Sequence, residues 1–157
     1  MQRWQKSLMT DSDILIIDHS EDDIVKLVDL IGQISDQHKV KVIFQQDEIV
    51  ELFLKPSYRL PKLILLSTDL KGLSGTYLLT QFKVHPRIRH IPIIMLSDNG
   101  HSIFLENLMK QGASGCLVKP FEVEAFRNLL ADLGILSEAE YLETVEVPIK
   151  NSQYGLE

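Results

Sequence analysis

The sequence lacks the features that define several large classes of protein. It has one cysteine, Cys116, among 157 residues, so it can form neither an internal disulfide nor a cysteine-rich metal site, and a reducing compartment is expected. No apolar run approaches the roughly 18 residues needed to cross a bilayer, and the polar residues 1–6 predict that there is no secretory signal. These absences lead us to expect a cytoplasmic protein without membrane contact.

The sequence also lacks an excess of basic charge. Its net charge is −6, and most of it is carried after position 133, where five glutamates accompany a single lysine. The one basic cluster is interrupted by Pro86 and contains no aromatic residue; it consists of Lys83, His85, Arg87, Arg89 and His90. Without a broad basic face there is little counterion release to drive nucleic-acid binding, so we expect none.

The chain does contain a repeated pattern of short apolar runs and longer amphipathic stretches, and its hydrophobic fraction of 45% is enough for a core. The five runs are residues 14–17, 40–44, 63–66, 93–96 and 116–118. They recur at roughly the 25-residue spacing of β-α-β units, and most lack alternation, which is typical of parallel strands buried on both faces. The pattern predicts an α/β, doubly wound sheet of five parallel strands with helices on both faces.

The details of the pattern predict an edge strand and five helices. Only the second run alternates, because of Lys41, and this indicates an edge strand. Ser20 followed by Asp23 is typical of a helix N-cap, and apolar residues then recur at helical spacing. Four further helices are expected at residues 49–54, 76–82, 103–109 and 123–133.

Polar residues follow four of the five predicted strands. They are Asp18 and His19, then Ser67, Thr68 and Asp69, then Ser97 and Asp98, and finally Lys119 before Pro120. Ligands of open parallel sheets bind beyond the carboxyl ends of the strands, so we expect these groups to converge at one edge. No glycine-rich loop follows the first strand, which excludes a nucleotide-binding Rossmann site.

Four segments resemble the receiver domains of bacterial response regulators. They are residues 14–18, 70–75, 92–97 and 112–121, and the similarity extends over residues 13–133. The resemblance implies a flavodoxin-like (CheY-like) sheet of order 2-1-3-4-5. It also implies a phosphotransfer site in which two acids hold Mg²⁺, an aspartate accepts phosphate from a histidine kinase, and a hydroxyl and a lysine contact the phosphoryl oxygens.

This chain keeps only part of that site. Asp18, Ser97 and Lys119 match the family pattern, whereas His19 replaces the second acid and is a poor ligand for Mg²⁺. The phosphoacceptor position is Ser67, which has no base to activate it. Two more departures are Asp98, which replaces a small residue and would repel phosphate, and Cys116, which replaces an aromatic switch residue. We therefore expect a pseudo-receiver, meaning a receiver-like domain that has lost phosphotransfer. Its Mg²⁺ site is reduced to Asp18 and is expected to be weak or absent.

Other interpretations of these residues remain open. Asp69 or Ser67 could serve as a displaced phosphoacceptor, although Asp69 is expected to cap a turn. Lys119 is expected to pair with Asp18. A hydrolytic triad of Ser67, His19 and an aspartate is a remote alternative, because adjacent residues of an extended segment point to opposite faces and Asp18 could not then orient His19. We expect no enzymatic activity.

The sequence also leads to expectations for the terminal segments and for how the protein passes on a signal. Residues 1–12 are expected to be a flexible lead-in, residues 13–133 the receiver-like domain, and residues 134–157 an acidic extension. The extension resembles that of small stand-alone receivers that partner cyanobacterial phytochromes, which implies a homodimer formed through the last helix and tail; packing against its own domain is the alternative. Output is expected through contact with a histidine kinase or another signalling protein. Cys116 is expected to be a packing residue on a central strand.

Overall fold

The computed structural model describes residues 14–35, 38–55 and 60–136. The lead-in predicted at residues 1–12 lies outside these residues, as does the part of the acidic extension from residue 137 onward. Among the described helices, none combines the length and the apolar character needed to cross a membrane.

Five parallel strands form the central sheet. They are β1 (Ile14–Ile17), β2 (Val40–Ile43), β3 (Leu63–Ser67), β6 (Ile93–Ser97) and β7 (Gly115–Val118). The spatial order is β2-β1-β3-β6-β7. β4 (Asp69–Leu70) and β5 (Leu73–Ser74) form only a small antiparallel hairpin beside the sheet. When the five strands of the sheet are numbered by themselves in chain order, their spatial order is 2-1-3-4-5. The predicted fold is confirmed.

Each strand is apolar because both of its faces are covered. Ile14 and Ile16 of β1 pack into one hydrophobic layer, while Leu15 and Ile17 pack into the other. The first layer also contains α1 and α5, and the second contains the helices of the opposite face. This arrangement explains why the strands other than β2 show no alternation of polar and apolar residues.

Helices connect successive strands across both faces. They are α1 (Glu21–Ile34), α2 (Gln46–Leu54), α3 (Gly75–Val84), α4 (Ser102–Lys110) and α5 (Val123–Asp132). The predicted cap of α1 is present, since the Ser20 hydroxyl accepts a hydrogen bond from the backbone N–H of Asp23 at 3.3 Å. Beyond α5, Leu136 is buried in the layer formed by α1 and α5, so the described beginning of the acidic extension packs against its own domain.

The sheet has two edges, and one of them corrects a prediction. β2 is an edge strand as Lys41 indicated, and β7 is the other edge. Cys116 therefore lies on an edge strand, not on a central one. The expected order 2-1-3-4-5 already puts the fifth strand at an edge, so the expectation of a central strand rested only on the apolar composition of its run, which does not give a strand's place in the sheet.

Candidate functional site

A cleft of about 220 Å³ lies at the carboxyl ends of the strands. The parallel register aligns Ser67 with Leu96 and Ser97 with Val118, so the chain leaves several strands at the same edge. The residues that line the cleft are Asp18, His19, Ser20, Asp23, Ser67, Thr68, Asp69, Leu96, Asp98 and Lys119. Seven of the nine polar or switch positions predicted from the sequence are thus brought together, while Ser97 and Cys116 are not part of the lining.

Lys119 is held between two carboxylates in this cleft. Its ammonium group donates to Oδ2 of Asp23 and lies 2.8 Å from Oδ1 of Asp98. Burial lowers the pKa of Lys119, but the hydrogen bonds and charges of the two aspartates outweigh burial and the pKa is raised overall. The expected pairing of Lys119 with Asp18 is wrong, because Asp23 and Asp98 take up the ammonium group.

Asp23 is the site residue that sequence reasoning missed. It was interpreted only as a partner in the N-cap of α1, yet its side chain is largely buried and contacts Lys119. A usable signal was present, since Asp23 precedes Leu27 by four residues and Leu30 by seven, and both leucines face the core. This spacing places Asp23 on the inward face of α1.

Asp18 is a buried carboxylate whose two oxygens differ. The residue is 2% exposed. Its Oδ1 accepts a hydrogen bond from the backbone N–H of Ser20 at 3.1 Å, whereas its Oδ2 is buried without a hydrogen-bond partner. Burial is the largest effect on Asp18 and raises its pKa; the hydrogen bond from the Ser20 backbone N–H opposes it, the negative charge of Asp23 adds to it, and the His19 backbone N–H and Lys119 oppose it more weakly, so the pKa is raised overall.

His19 lies beside Asp18 rather than on the opposite face. Its Nδ1 is 3.8 Å from Oδ1 of Asp18. The expectation of opposite faces is wrong because β1 ends at Ile17, so the two residues are not part of an extended strand. His19 is half-exposed at the mouth of the cleft, and this proximity alone does not make it a catalytic base.

The Ser67 hydroxyl is engaged by the backbone of the next loop. It donates to the carbonyl oxygen of Asp69 at 3.0 Å and accepts from the Asp69 N–H at 3.2 Å. Its proton is therefore directed to a carbonyl and not to His19, so the described geometry gives no support to the hydrolytic triad. Asp69 itself stands in β4 at the edge of the cleft and is exposed.

The Ser97 hydroxyl, at the end of β6, forms the same pair of backbone hydrogen bonds as the Ser67 hydroxyl. It donates to the carbonyl oxygen of Asn99 at 2.9 Å and accepts from the Asn99 N–H at 2.9 Å. The two serines at the ends of neighbouring strands thus shape the loops that follow them. Cys116 is half-buried on β7 against the second hydrophobic layer, and burial raises the pKa of its thiol, which keeps it in the less reactive protonated form.

Comparison with known proteins identifies the family. A family model described as "Response regulator receiver domain" matches residues 14–131, which is most of the chain. The chain belongs to this family. Receiver domains act in two-component signalling through contact with histidine kinases or other signalling partners, and they are in general signalling domains rather than enzymes.

Individual relatives agree with this assignment. The chain is 33% identical over 67 residues to "Two-component response regulator-like APRR3" of Arabidopsis thaliana. The matched segment covers 43% of this chain but only 14% of that protein. The receiver domain of NtrX from Brucella abortus is 26% identical with a TM-score of 0.62, covering 80% of this chain and 100% of that one. The bacteriophytochrome response regulator RtBRR is 19% identical with a TM-score of 0.69, and the match covers 92% of this chain and 84% of that one. At this identity the similarity shows only that the two proteins share a fold.

The Mg²⁺ that the receiver family implies does not fit the donor set of this chain. Among the described residues, no group of three or more histidine, cysteine, aspartate or glutamate side chains is arranged to hold a metal ion. Two acids of the cleft, Asp23 and Asp98, are both directed at Lys119. A carboxylate that already binds an ammonium group is a poor ligand for a second cation at the same place.

Proposed function

We propose that this receiver domain signals by protein–protein contact without being phosphorylated. The observation that carries the proposal is the position of Lys119, whose ammonium group is held by Asp23 and Asp98. In phosphoryl transfer the protein mainly supplies positive charge to the oxygens of the transferred group. A lysine neutralised by two aspartates supplies little of that charge.

The charge of the cleft supports the same conclusion. Four aspartates line it with a single lysine, and they are Asp18, Asp23, Asp69 and Asp98. An incoming phosphoryl dianion would meet net negative charge at short range, where the effective dielectric is lower than that of bulk water. Ser67, which occupies the acceptor position, has its proton hydrogen-bonded to the Asp69 carbonyl, and no base is positioned to remove it.

The alternative is a phosphorylatable receiver with a displaced acceptor. Asp69 is the stronger candidate because it is exposed and lines the cleft. Its carboxylate would still require a cation to bring a phosphodonor close, and Lys119 is already paired. Ser67 is the weaker candidate, since a buried hydroxyl without a base is a poor nucleophile.

The output in this proposal is contact with a histidine kinase or another signalling protein in the cytoplasm. A homodimer through α5 and the acidic extension belongs to the proposal as well, with residues 13–133 as the receiver unit and residues 134–157 as the extension. The proposal includes no enzymatic activity and no nucleic-acid partner. Phosphorylation would not gate the contact, so the partner should bind the chain equally well with and without a phosphodonor.

The proposal is tested by the intact mass of the full chain after incubation with Mg²⁺ and acetyl phosphate. A conventional receiver treated in parallel shows that the phosphodonor is active. We expect no mass increase for this chain. A phosphate adduct that is lost in Asp69→Asn or in Ser67→Ala would overturn the proposal and identify the displaced acceptor.

A further inference from the structure

We propose that the acidic extension, from residue 137 onward, binds a basic surface at the amino-terminal edge of the sheet in its own domain. This inference goes beyond the proposed function and does not depend on it. The basic surface and the point at which the extension leaves the domain both lie within the described residues.

The amino-terminal edge of the sheet is basic. From the last two residues of each helix to the start of the next strand, and after α5 up to residue 136, the described residues include seven lysines and arginines but a single acid, Asp132. We refer to the seven as the basic pole: Lys39, Lys55, Lys62, Lys83, Arg87, Arg89 and Lys110. The four aspartates of the cleft lie at the opposite edge, so the two edges of the sheet differ in the sign of their charge.

Hydrogen bonds between segments hold part of the basic pole together. The ammonium group of Lys83 donates to the carbonyl oxygens of Arg89 at 3.2 Å and Ile91 at 3.0 Å. A guanidinium nitrogen of Arg87 donates to the carbonyl oxygen of Lys55 at 3.0 Å. The loop before β6 is thereby joined to the end of α2.

Helix dipoles explain only two of these positive charges. A basic side chain in the last turn of a helix is stabilised by the negative end of the dipole, and Lys83 and Lys110 are so placed. The last turns of α1, α2 and α5 contain no basic residue. The other five residues of the basic pole lie in loops or just after a helix, where their mutual repulsion favours an acidic partner.

Exposed apolar side chains accompany this charge. Leu54 and Val84 are the last residues of α2 and α3, and they are 70% and 73% exposed. Met109, one residue before the end of α4, is 47% exposed. A segment that fits the basic pole therefore combines acids with apolar residues.

The acidic extension has this combination of residues. Residues 137–157 carry five glutamates against one lysine, a net charge of −4. Four of the glutamates fall within residues 138–146, interleaved with Tyr141, Leu142 and Val145. The extension thus matches the basic pole both in charge and in apolar character.

The extension also leaves the domain at the basic pole. Since α5 starts after β7 and packs against the sheet, it ends at the amino-terminal edge. Its end is fixed by a C-cap in which Gly134 has a φ of 73° and the N–H of Ile135 donates to the carbonyl oxygen of Leu130 at 3.0 Å. Leu136 is buried, so the extension starts from an anchored residue.

The length of the extension is sufficient for this contact. Ten extended residues span at most about 35 Å, whereas the helix layers on the two faces of the sheet are separated by roughly 20 Å, two helix diameters. Residues 137–146 can therefore reach the ends of α2, α3 and α4. Bound in this way, the extension lies beside the end of α5, and the two form one continuous surface for the proposed homodimer.

The test is carbodiimide cross-linking of the full chain, which joins carboxylates to lysine amines in direct contact, followed by mass spectrometry of the peptides. Isotope-labelled and unlabelled chains are mixed in equal amounts, so that links within one chain and between two chains differ in mass. We expect extension glutamates to be linked within one chain to Lys39, Lys62 and Lys110. These links should be at least about fivefold more frequent than links to Lys71, the preference that one exposed ion pair would give.

Lys71 is the matched control because it is an exposed lysine in the turn between β4 and β5, at the opposite edge of the sheet. The Glu51–Lys55 pair, with 3.3 Å between its charged atoms, is the internal standard that shows the reagent to be active. In 1 M salt, where the Debye length is about 3 Å, the preference for the basic pole should fall. Absence of links at the basic pole, equal linking of Lys71, or links only between two chains would overturn the proposal.

A second measurement uses a variant of the extension alone, so the fold of the domain is not at risk. Replacing its four clustered glutamates should shift the amide NMR resonances of Arg89 and Lys110 and leave that of Lys71 in place; the changes are Glu138→Gln, Glu140→Gln, Glu143→Gln and Glu146→Gln. Unchanged resonances at the basic pole would also overturn the proposal. Neither measurement contains a phosphodonor, so their failure leaves the mass measurement of the proposed function untouched.

Discussion

The ammonium group of Lys119 donates to the carboxylate of Asp23, and this contact joins the segment after β7 to the first turn of α1. Asp98 adds a second carboxylate from the loop after β6. The two contacts differ in their surroundings, because the Asp23 side chain is 12% exposed and that of Asp98 is 73% exposed. This difference leads to the first prediction.

Asp23→Asn should destabilise the fold more than Asp98→Asn does. A hydrogen bond between a charged pair in a largely buried position contributes about 1.5–3 kcal/mol, whereas a solvent-exposed ion pair contributes about 1 kcal/mol or less. The free energies of unfolding from urea titrations of both variants check this order. Equal losses, or a larger loss for Asp98→Asn, would contradict the assigned roles of the two acids.

Asp18→Asn should stabilise the protein at neutral pH. Burial raises the pKa of Asp18, so the folded state holds this proton more tightly than the unfolded chain does. The contribution of Asp18 to stability is therefore most favourable below the ordinary aspartate pKa of about 3.9 and declines as the pH rises through the raised value. The melting temperature of Asp18→Asn should exceed that of the natural chain at pH 7, and the gain should shrink towards pH 4.

The control for this pH dependence is Asp69→Asn. Asp69 lines the same cleft but is exposed, so its replacement should change the melting temperature much less. A melting temperature for Asp18→Asn that falls at pH 7, or a gain that grows on acidification, would show that the Asp18 carboxylate is stabilised by its surroundings.

Gly75→Ala should be strongly destabilising. A Cβ atom at Gly75 would overlap the backbone carbonyl oxygen of Ser67, and neither backbone can move freely, because Ser67 ends a central strand and Gly75 begins α3. We expect a loss of at least about 3 kcal/mol, the upper end of the usual range for overpacking. Urea unfolding of the variant measures this loss.

Gly100→Ala is the matched control for Gly75→Ala. Its Cβ atom would meet a side-chain methyl of Val118 at 3.2 Å, which a small side-chain movement can relieve. The cost should stay below about 1 kcal/mol, as for most surface substitutions. Similar losses in the two alanine variants would mean that the close approach of Gly75 to β3 is not the cause.

Ser67→Asp alone should not create an efficient phosphoacceptor. The new carboxylate would stand in the acceptor position, but His19 would still replace an acid and Lys119 would remain paired with Asp98. Combining Ser67→Asp with His19→Asp and Asp98→Ala should raise the yield of adduct in intact-mass measurements with acetyl phosphate. A full yield from Ser67→Asp alone would show that only the acceptor is missing.

The sequence was sufficient to predict the sheet, because strands buried on both faces have an unmistakable composition. It also predicted that Asp18, Ser67 and Lys119 lie at or just after the ends of their strands, and that such residues meet at one edge. What it could not give is the pairing within the cleft. Lys119 pairs with Asp23 and not with Asp18. This pairing depends on where the first turn of α1 places the Asp23 side chain, and not on the strand ends alone.

The remaining errors have similar physical causes. The mutual position of Asp18 and His19 depends on β1 ending at Ile17, so the extended geometry assumed for residues 18 and 19 does not apply. The edge position of Cys116 follows from the strand order 2-1-3-4-5 that the resemblance implies, and the apolar composition of residues 116–118 was given too much weight against it. Asp23 was overlooked because an aspartate near the start of a helix can be either a capping residue or a buried ion-pair residue. The residue type does not distinguish these two roles, whereas the spacing to Leu27 does.

We propose that this receiver domain does not hold a phosphoryl group, because Lys119 is already paired with Asp23 and Asp98. The most direct test is the amide NMR spectrum of the full chain before and after adding Mg²⁺ with beryllium fluoride, which mimics a phosphoryl group. The account predicts unchanged resonances for Ser67, Asp69 and Lys119. Saturable shifts at these residues, matching those of a conventional receiver under the same conditions, would contradict it.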